Sequence, residues 1–411
     1  MTVATLLNGI RIIDLSMGWA GPLACRHMAD MGADVIKVES CERFDWWRSW
    51  EATPEWIENN GAEKSTAFNT VNRNKRDITL DLEHPEGRNL LLDLVKTANI
   101  VVENYSGSVL PKLNLSFESF REVKSDIILL SMPAFGSTGP WANFRAYGST
   151  VEQSSGLPHL NGNADDPPTM QHVALGDAVG GLTGAGAILV ALRHQARTGE
   201  GQFVDLSQVE GLFSMTAHGI LECAVTGKTP ERSGNRSSHA LVRGVYACQG
   251  DDQWIALECS SAEHWSALVR EVGNSLKEFG DYDSAKRRVD EIDRILTESF
   301  RDKDAKVAMQ QFQSIGIPAA AALTTVDILN DPHLAERGFW QFRERAFVGL
   351  QPHPSPPYRV GREPFSVISP APTLGQHNEE VLKSVLGLED EDLSRLEELG
   401  VIGNRPRMPS K

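Results

Sequence analysis

The chain has 411 residues, of which 41% are hydrophobic and 23% charged. This is the make-up of a soluble enzyme with room for two or three compact units, and not that of a disordered, collagenous or membrane-embedded chain. Forty basic against 55 acidic residues leave a net charge of -15, which argues against nucleic acid or a membrane surface as partner and requires any anion site to be local.

The N-terminal "MTVATLLNGIRIIDLS" lacks a basic segment followed by a long apolar core, so neither export nor membrane insertion is expected. "GIRIIDLS" (9–16) reads as a strand, "GWAGPLACRHMADMG" (18–32) as a helix and "ADVIKVES" (33–40) as a second strand. Such a β-α-β unit implies a parallel pair with a right-handed crossover. "DITLDL", the helix "PEGRNLLLDLVKTA", "NIVVENY" and "DIILLSMPAF" continue the alternation, so the first ~150 residues read as a doubly wound α/β domain. After Asp177 a helical pattern runs to about Thr198, then a strand over 202–207 and a helix from about Gln208. The Gly-, Ser- and charge-rich stretch 226–239 reads as a boundary. Beyond it, "GVYACQGDDQWIALEC" reads as two strands around a Gly-Asp-Asp turn, followed by helical segments, as in a smaller α+β domain. The prolines of "LQPHPSPPYRVGREPF" exclude a continuous helix or central strand, and two helices follow.

Asp177 stands before an amphipathic helix and reads either as an N-cap or as a reactive carboxylate. Glycines at 180, 181, 184 and 186 each cost up to ~1 kcal/mol in a helix relative to alanine, so a neighbouring helix or a ligand must approach that backbone. Arg73, Lys75 and Arg76 in "NRNKRDITLDL" read as a solvated turn or a phosphate clamp. "FGSTGPWANFRAYG" mounts Arg145 and Tyr147 on a loop after a strand, a common place for ligand-binding groups. "DWWRSWEATPEW" (45–56) holds four of the nine tryptophans, suited to packing or to lining an apolar pocket. His27 and His84 lack metal-ligand spacing, and no metal site is expected. Five scattered cysteines without a CxxC pair suggest neither a disulfide framework nor zinc, and fit a reduced cytoplasmic compartment. "SMGWAG" is not a GxGxxG loop, and GxSxG, Walker A and HExxH are missing.

Taken together, "LNGIRIIDLSMGWAGPLACRHMADMGADVIKVES", "NRNKRDITLDLEHPEGR", "IVVENY", "FGSTGPW", "ALGDAVGGLTGAGAILVALRHQARTGEGQFVDLS", "GVYACQGDDQWIAL" and "DPHLAERGF" resemble the class III (CaiB/BaiF) CoA-transferase family nearly end to end. The resemblance implies a Rossmann-like large domain with a parallel sheet, formed by 1–225 and completed by 330–411. It also implies a small α+β domain at 226–329 and an interlocked dimer, of identical subunits or with a paralogue. It makes Asp177 the nucleophile that takes the acyl group of an acyl-CoA as an anhydride, becomes a CoA thioester and passes CoA to a second carboxylic acid. The only cofactor implied is the CoA thioester itself, as substrate.

The resemblance further places Lys75 and Arg76 near the CoA phosphates, Asn104 near the pantetheine, and Arg145 and Tyr147 along the CoA. It sets Gly180 and Gly181 beside the developing oxyanion. Ser40 replaces an arginine common in relatives. Racemases of the family carry a histidine where Tyr147 and Gly148 stand here, which favours transfer over α-carbon racemisation or epimerisation. A non-catalytic subunit and a hydrolase are further alternatives. Formyl-CoA transferases have glutamine at the place of Trp19 and glycines at the place of 237–240, so Trp19, Ser238 and His239 are expected to line the substrate pocket. The indole favours an acid larger than formate or oxalate, with succinyl-CoA or a similar thioester as donor.

Overall fold

The computed structural model describes residues 6–171 and 173–408, and the chain folds as two units. The first comprises the chain up to Pro158, Met170–Leu221 and everything from His333; the second comprises His159–Thr169 and Glu222–Pro332. The boundaries expected at 226 and 329 thus fall at 222 and 332, and a short segment joins the second unit from within the first. That segment is held by Arg232, whose Nε donates to the Asn163 carbonyl at 3.1 Å, and by Gly234, whose N–H donates to the Gly162 carbonyl at 2.9 Å. Bonds between residues this far apart in sequence leave no local signal.

In the first unit β1 (Arg11–Asp14), β2 (Asp34–Glu39), β3 (Arg76–Thr79), β4 (Ile100–Glu103), β5 (Ile128–Ser131) and β6 (Phe203–Asp205) form one parallel sheet of order β3-β2-β1-β4-β5-β6. All four residues of β4 and of β5 are buried, as strands covered on both faces must be. The chain moves outward from β1 to β3 and returns to β4 on the other side of β1. The carboxyl ends of β1 and β4 therefore flank a topological switch point, where doubly wound folds bind ligands.

Helix α1 (Ala20–Asp30) links β1 to β2, and α2 (Pro85–Lys96) links β3 to β4. Between β5 and β6 the chain makes α3 (Gly148–Ser154) and α4 (Leu175–Thr198), and after β6 comes α5 (Gln208–Thr226). Among the described residues α4 has the length and apolarity to cross a membrane, yet Ala185, Ile188, Ala191 and Leu192 pack in a core with Ile12, Ala24, Met28 and Val102. Gly181 and Gly184 of α4 serve this packing, whereas Gly186 faces open space. A Cβ on Gly181 would lie 2.8 Å from the Ala20 carbonyl oxygen, and one on Gly184 would lie 2.8 Å from Met132 Cε. Helix propensity alone predicts that Gly181→Ala stabilises by up to ~1 kcal/mol. A backbone carbonyl cannot swing aside, so the variant is expected instead to lose ~1–3 kcal/mol by overpacking, read as a lower thermal midpoint with unchanged helix content.

The second unit carries an antiparallel sheet, β7 (Val242–Ala247), β8 (Trp254–Cys259) and β9 (Ala319–Ala321), in that order. The turn between β7 and β8 has Gly250 and Asp252 at positive φ, as its Gly-Asp-Asp composition suggests. Helices α6 (Ala262–Val272), α7 (Val289–Phe300) and α8 (Ala305–Ser314) bury Leu268, Leu296, Phe300 and Phe312 with Ile255 and Leu257 of β8.

The chain then returns to the first unit with the ribbon β10 (Trp340–Arg345) and β11 (Gly349–Pro354). Pro352 and Pro354 sit in β11, tolerated because a two-stranded ribbon leaves each strand one unpaired edge. Helices α9 (Asn378–Leu386) and α10 (Asp390–Glu398) follow. The approach to α9 closes the sheet beyond β3: the Gly375 N–H donates to Asp77 Oδ1 at 2.7 Å and the Thr79 N–H to Asn378 Oδ1 at 2.8 Å.

Candidate active site

Asp177 occupies the first turn of α4, three residues past the N-cap, which is Ala174. The capping role open to it from sequence therefore falls to a residue with no side-chain hydrogen bond. The Asp177 carboxylate accepts a bond from the Gly148 N–H at the start of α3. A Cβ on Gly148 would overlap that carboxylate, and one on Gly176 would come within 2.5 Å of the Gly148 carbonyl oxygen. Two glycines therefore let the starts of α3 and α4 meet. Burial, only partly offset by the Gly148 N–H, pushes the Asp177 carboxyl up to about 6. The result is a poorly solvated carboxylate with no counter-cation beside it among the described residues, a suitable state for a nucleophile.

Gly180 and Gly181 do not supply the oxyanion donors expected of them. They lie in the second turn of α4, where amides bond to carbonyls four residues back. Their faces meet protein: a Cβ on Gly180 would lie 2.8 Å from Gln208 Oε1, and Gly181 meets Ala20 and Leu23. The amides of Asp177 and Ala178 bond to the Ala174 carbonyl at 3.1 and 3.4 Å. Leu175 and Gly176 are the positions of α4 whose N–H groups precede its hydrogen-bond ladder.

An aromatic wall begins one residue from this carboxylate. Tyr147, 57% exposed, stands edge-on to Trp46 and Trp50 with centroids 5.5 Å from each. Trp46 lies 4.3 Å from Trp50 and 6.0 Å from Trp47, and Trp47 lies 5.4 Å from Trp19 at the head of α1. Gly18 has φ +76° and lies under the Trp46 ring, with no room for a Cβ. Trp56, the fourth tryptophan of the sequence cluster, instead stacks on Phe44. Arg145 is exposed on the loop leading to Tyr147.

The phosphate clamp read from "NRNKR" is corrected by the structure. Lys75 is fully buried, and its ammonium donates to Asp14 Oδ2 and Asn72 Oδ1 at 2.8 Å and to the Pro22 carbonyl at 3.0 Å. Three acceptors use all three of its N–H groups. Arg73 is paired with Asp30 at 2.8 Å, and Arg76 with Asp34 at 2.6 Å and Glu380 at 3.0 Å. Arg73 and Lys75 are committed to the fold, while Arg76 stays part-exposed between its two carboxylates. Asn104 is likewise engaged: its amide donates to the Met17 carbonyl and accepts from the Met17 N–H, both at 2.8 Å. It ties the loop after β1 to the end of β4 across the switch point, and so sets the backbone that leads to Gly18 and Trp19.

Ser238 and His239 belong to the second unit, exposed on the stretch before β7, where the His239 N–H donates to Ser237 Oγ at 3.1 Å. Sequence reasoning missed the Gly148 amide as the partner of Asp177. The available signal was a glycine preceding a short helix immediately after the Arg145–Tyr147 loop.

A doubly wound parallel sheet with a buried carboxylate in the first turn of α4 has the architecture of an α/β enzyme. The sequence model of CoA-transferase family III matches residues 7–378, and the chain belongs to that family as one of its enzymes. A succinate–glutarate CoA-transferase of Agrobacterium fabrum is 31% identical over 389 residues, covering 93% of this chain and 96% of the relative. The human succinyl-CoA:glutarate CoA-transferase is 28% identical over 400 residues, covering 96% and 90%. The crystal structure of a CaiB/BaiF family protein from Brucella suis superposes with a TM-score of 0.83 at 28% identity, covering 94% of this chain and all of that one.

Proposed function

We propose that this enzyme moves CoA from an acyl-CoA donor to a carboxylic acid through covalent intermediates on Asp177. A carboxylate oxygen attacks the thioester carbon, forming an acyl–aspartyl anhydride and expelling CoA thiolate. The thiolate attacks the aspartyl carbonyl, releasing the donor acid and leaving an aspartyl-CoA thioester. The acceptor carboxylate attacks this thioester, re-forming an anhydride and thiolate. Attack of that thiolate on the acceptor acyl carbon yields the new acyl-CoA and restores Asp177. No proton changes hands in sum, so no separate base is required.

The observation that carries this reading is the buried Asp177 carboxylate facing the Gly148 amide, with no counter-cation beside it among the described residues. Racemisation needs an acid and a base on opposite faces of the α-carbon. The residue meeting Asp177 from α3 is a glycine, which offers no side-chain proton donor, and this favours transfer. On this reading Arg145 and Tyr147 contact CoA, and Asn104 acts through the loop it ties down. A second copy of the chain would cover the exposed apolar residues Leu182 and Val190 of α4 and Phe213 and Ile220 of α5.

The test is intact mass of the protein after incubation with succinyl-CoA, where a CoA or acyl adduct is expected. The adduct should form with a rate that rises with pH through about 6 and is flat above, because the ionised Asp177 is the reacting form. A rate that falls over that range, or no adduct from any donor, would refute the mechanism.

A further inference from the structure

We infer that the acyl group handled here is apolar and preferably aromatic, with no second carboxylate, and that Trp50 selects it. The inference rests on the reading of Asp177 as nucleophile and names its substrate class. Two routes lead from Asp177 to the same tryptophans: through Gly148 to Tyr147, whose ring meets Trp46 and Trp50, and through Gly181 and Ala20 to Trp19, which meets Trp47. Trp46, Trp47 and Trp50 then border an open cavity of about 590 Å3, within the size range of small-molecule sites. Trp50 is 67% exposed, and its free face offers edge or stacked contact to a ring.

The two charged residues that line this cavity do not favour a dicarboxylate. Arg48 borders it, but its guanidinium is buried and already paired with Glu39 at 2.8 Å, Glu63 at 3.1 Å and Asp77 at 3.5 Å. Glu51 also borders it and would repel a second carboxylate. An acid with one carboxylate, consumed in the thioester, and an apolar remainder fits both the surface and the charge.

The experiment compares 3-phenylpropanoyl-CoA with succinyl-CoA on the full-length protein, reading kcat/KM for adduct formation by intact mass. The aryl donor is expected to exceed succinyl-CoA at least tenfold. Trp50→Ala should lower the ratio of the aryl to the succinyl value about tenfold, and Trp50→Phe should recover most of that ratio. Equal or better use of succinyl-CoA by the native protein would overturn the inference while leaving the transferase reading intact. So would an equal loss for both donors in Trp50→Ala, the mark of a merely structural tryptophan. Absence of any adduct from either donor would instead refute the reading of Asp177 itself.

Discussion

Asp177→Asn is expected to abolish the covalent adduct and to lower CoA transfer by on the order of 10^3-fold or more, since no other group can enter the anhydride. The amide keeps the size of the carboxylate and can still accept the Gly148 N–H, so the site's geometry is retained. Stability gives an independent sign. The Asp177 carboxyl is held near about 6 in the fold, against ~3.9 for a free aspartate. Between these values the native state binds more protons than the unfolded one, so stability falls as pH rises, and the cost is complete above about 6. Asparagine does not ionise and escapes this cost. The variant's thermal midpoint at pH 7.5 should therefore equal or exceed that of the native protein. A marked fall would mean that the residue is structural, as the capping alternative required. Intact mass and calorimetry on the same preparation check both halves.

Arg48→Met is expected to be the most damaging change to stability, at ~3–5 kcal/mol, because it removes one partner of a buried ionic cluster. The guanidinium binds Glu39, Glu63 and Asp77 and lies 3.6 Å above the Phe68 ring. Glu63 would keep Arg345, which sits at 2.9 Å, but Glu39 and Asp77 would lose their nearest cation. Burial pushes the Glu39 carboxyl up, yet Arg48, Asp77 and Lys37 outweigh it and hold the group near about 2. A free glutamate titrates near ~4.3, so this contribution is fully present above that value and is lost as pH falls through about 2. The deficit of the variant should be largest above pH ~5 and narrow below it. Thermal unfolding followed from pH 7 to pH 3 tests this, and a deficit independent of pH would point to lost packing alone.

Much of the first unit was legible from local pattern. The strand at 9–16, the helix at 18–32 and the strand at 33–40 appear as β1, α1 and β2, and the long helix before Thr198 is α4. The reading of "NRNKR" failed for an identifiable reason. A turn with three cations looks alike whether it awaits phosphates or meets carboxylates, and Lys75's partner Asp14 lies 61 residues away while Arg76's partner Glu380 lies 304 away. Composition also hid the division of the tryptophans, of which Trp46, Trp47 and Trp50 join Tyr147 and Trp19 in one aromatic wall while Trp56 stacks on Phe44.

By itself the sequence determined the alternation of strands and helices, the turns, and the identity of Asp177 as the residue to suspect, because periodicity, glycines and motif order act over a few residues. Only the tertiary structure decided which charges are free and which are committed. It also decided that Gly181 and Gly184 of α4 admit α1, that Gly148 is the partner of Asp177, and that Trp19 joins the wall begun by Trp46. Ion pairing and close packing depend on distance in space, and burial converts that distance into energy by removing the water that would otherwise screen and solvate each group.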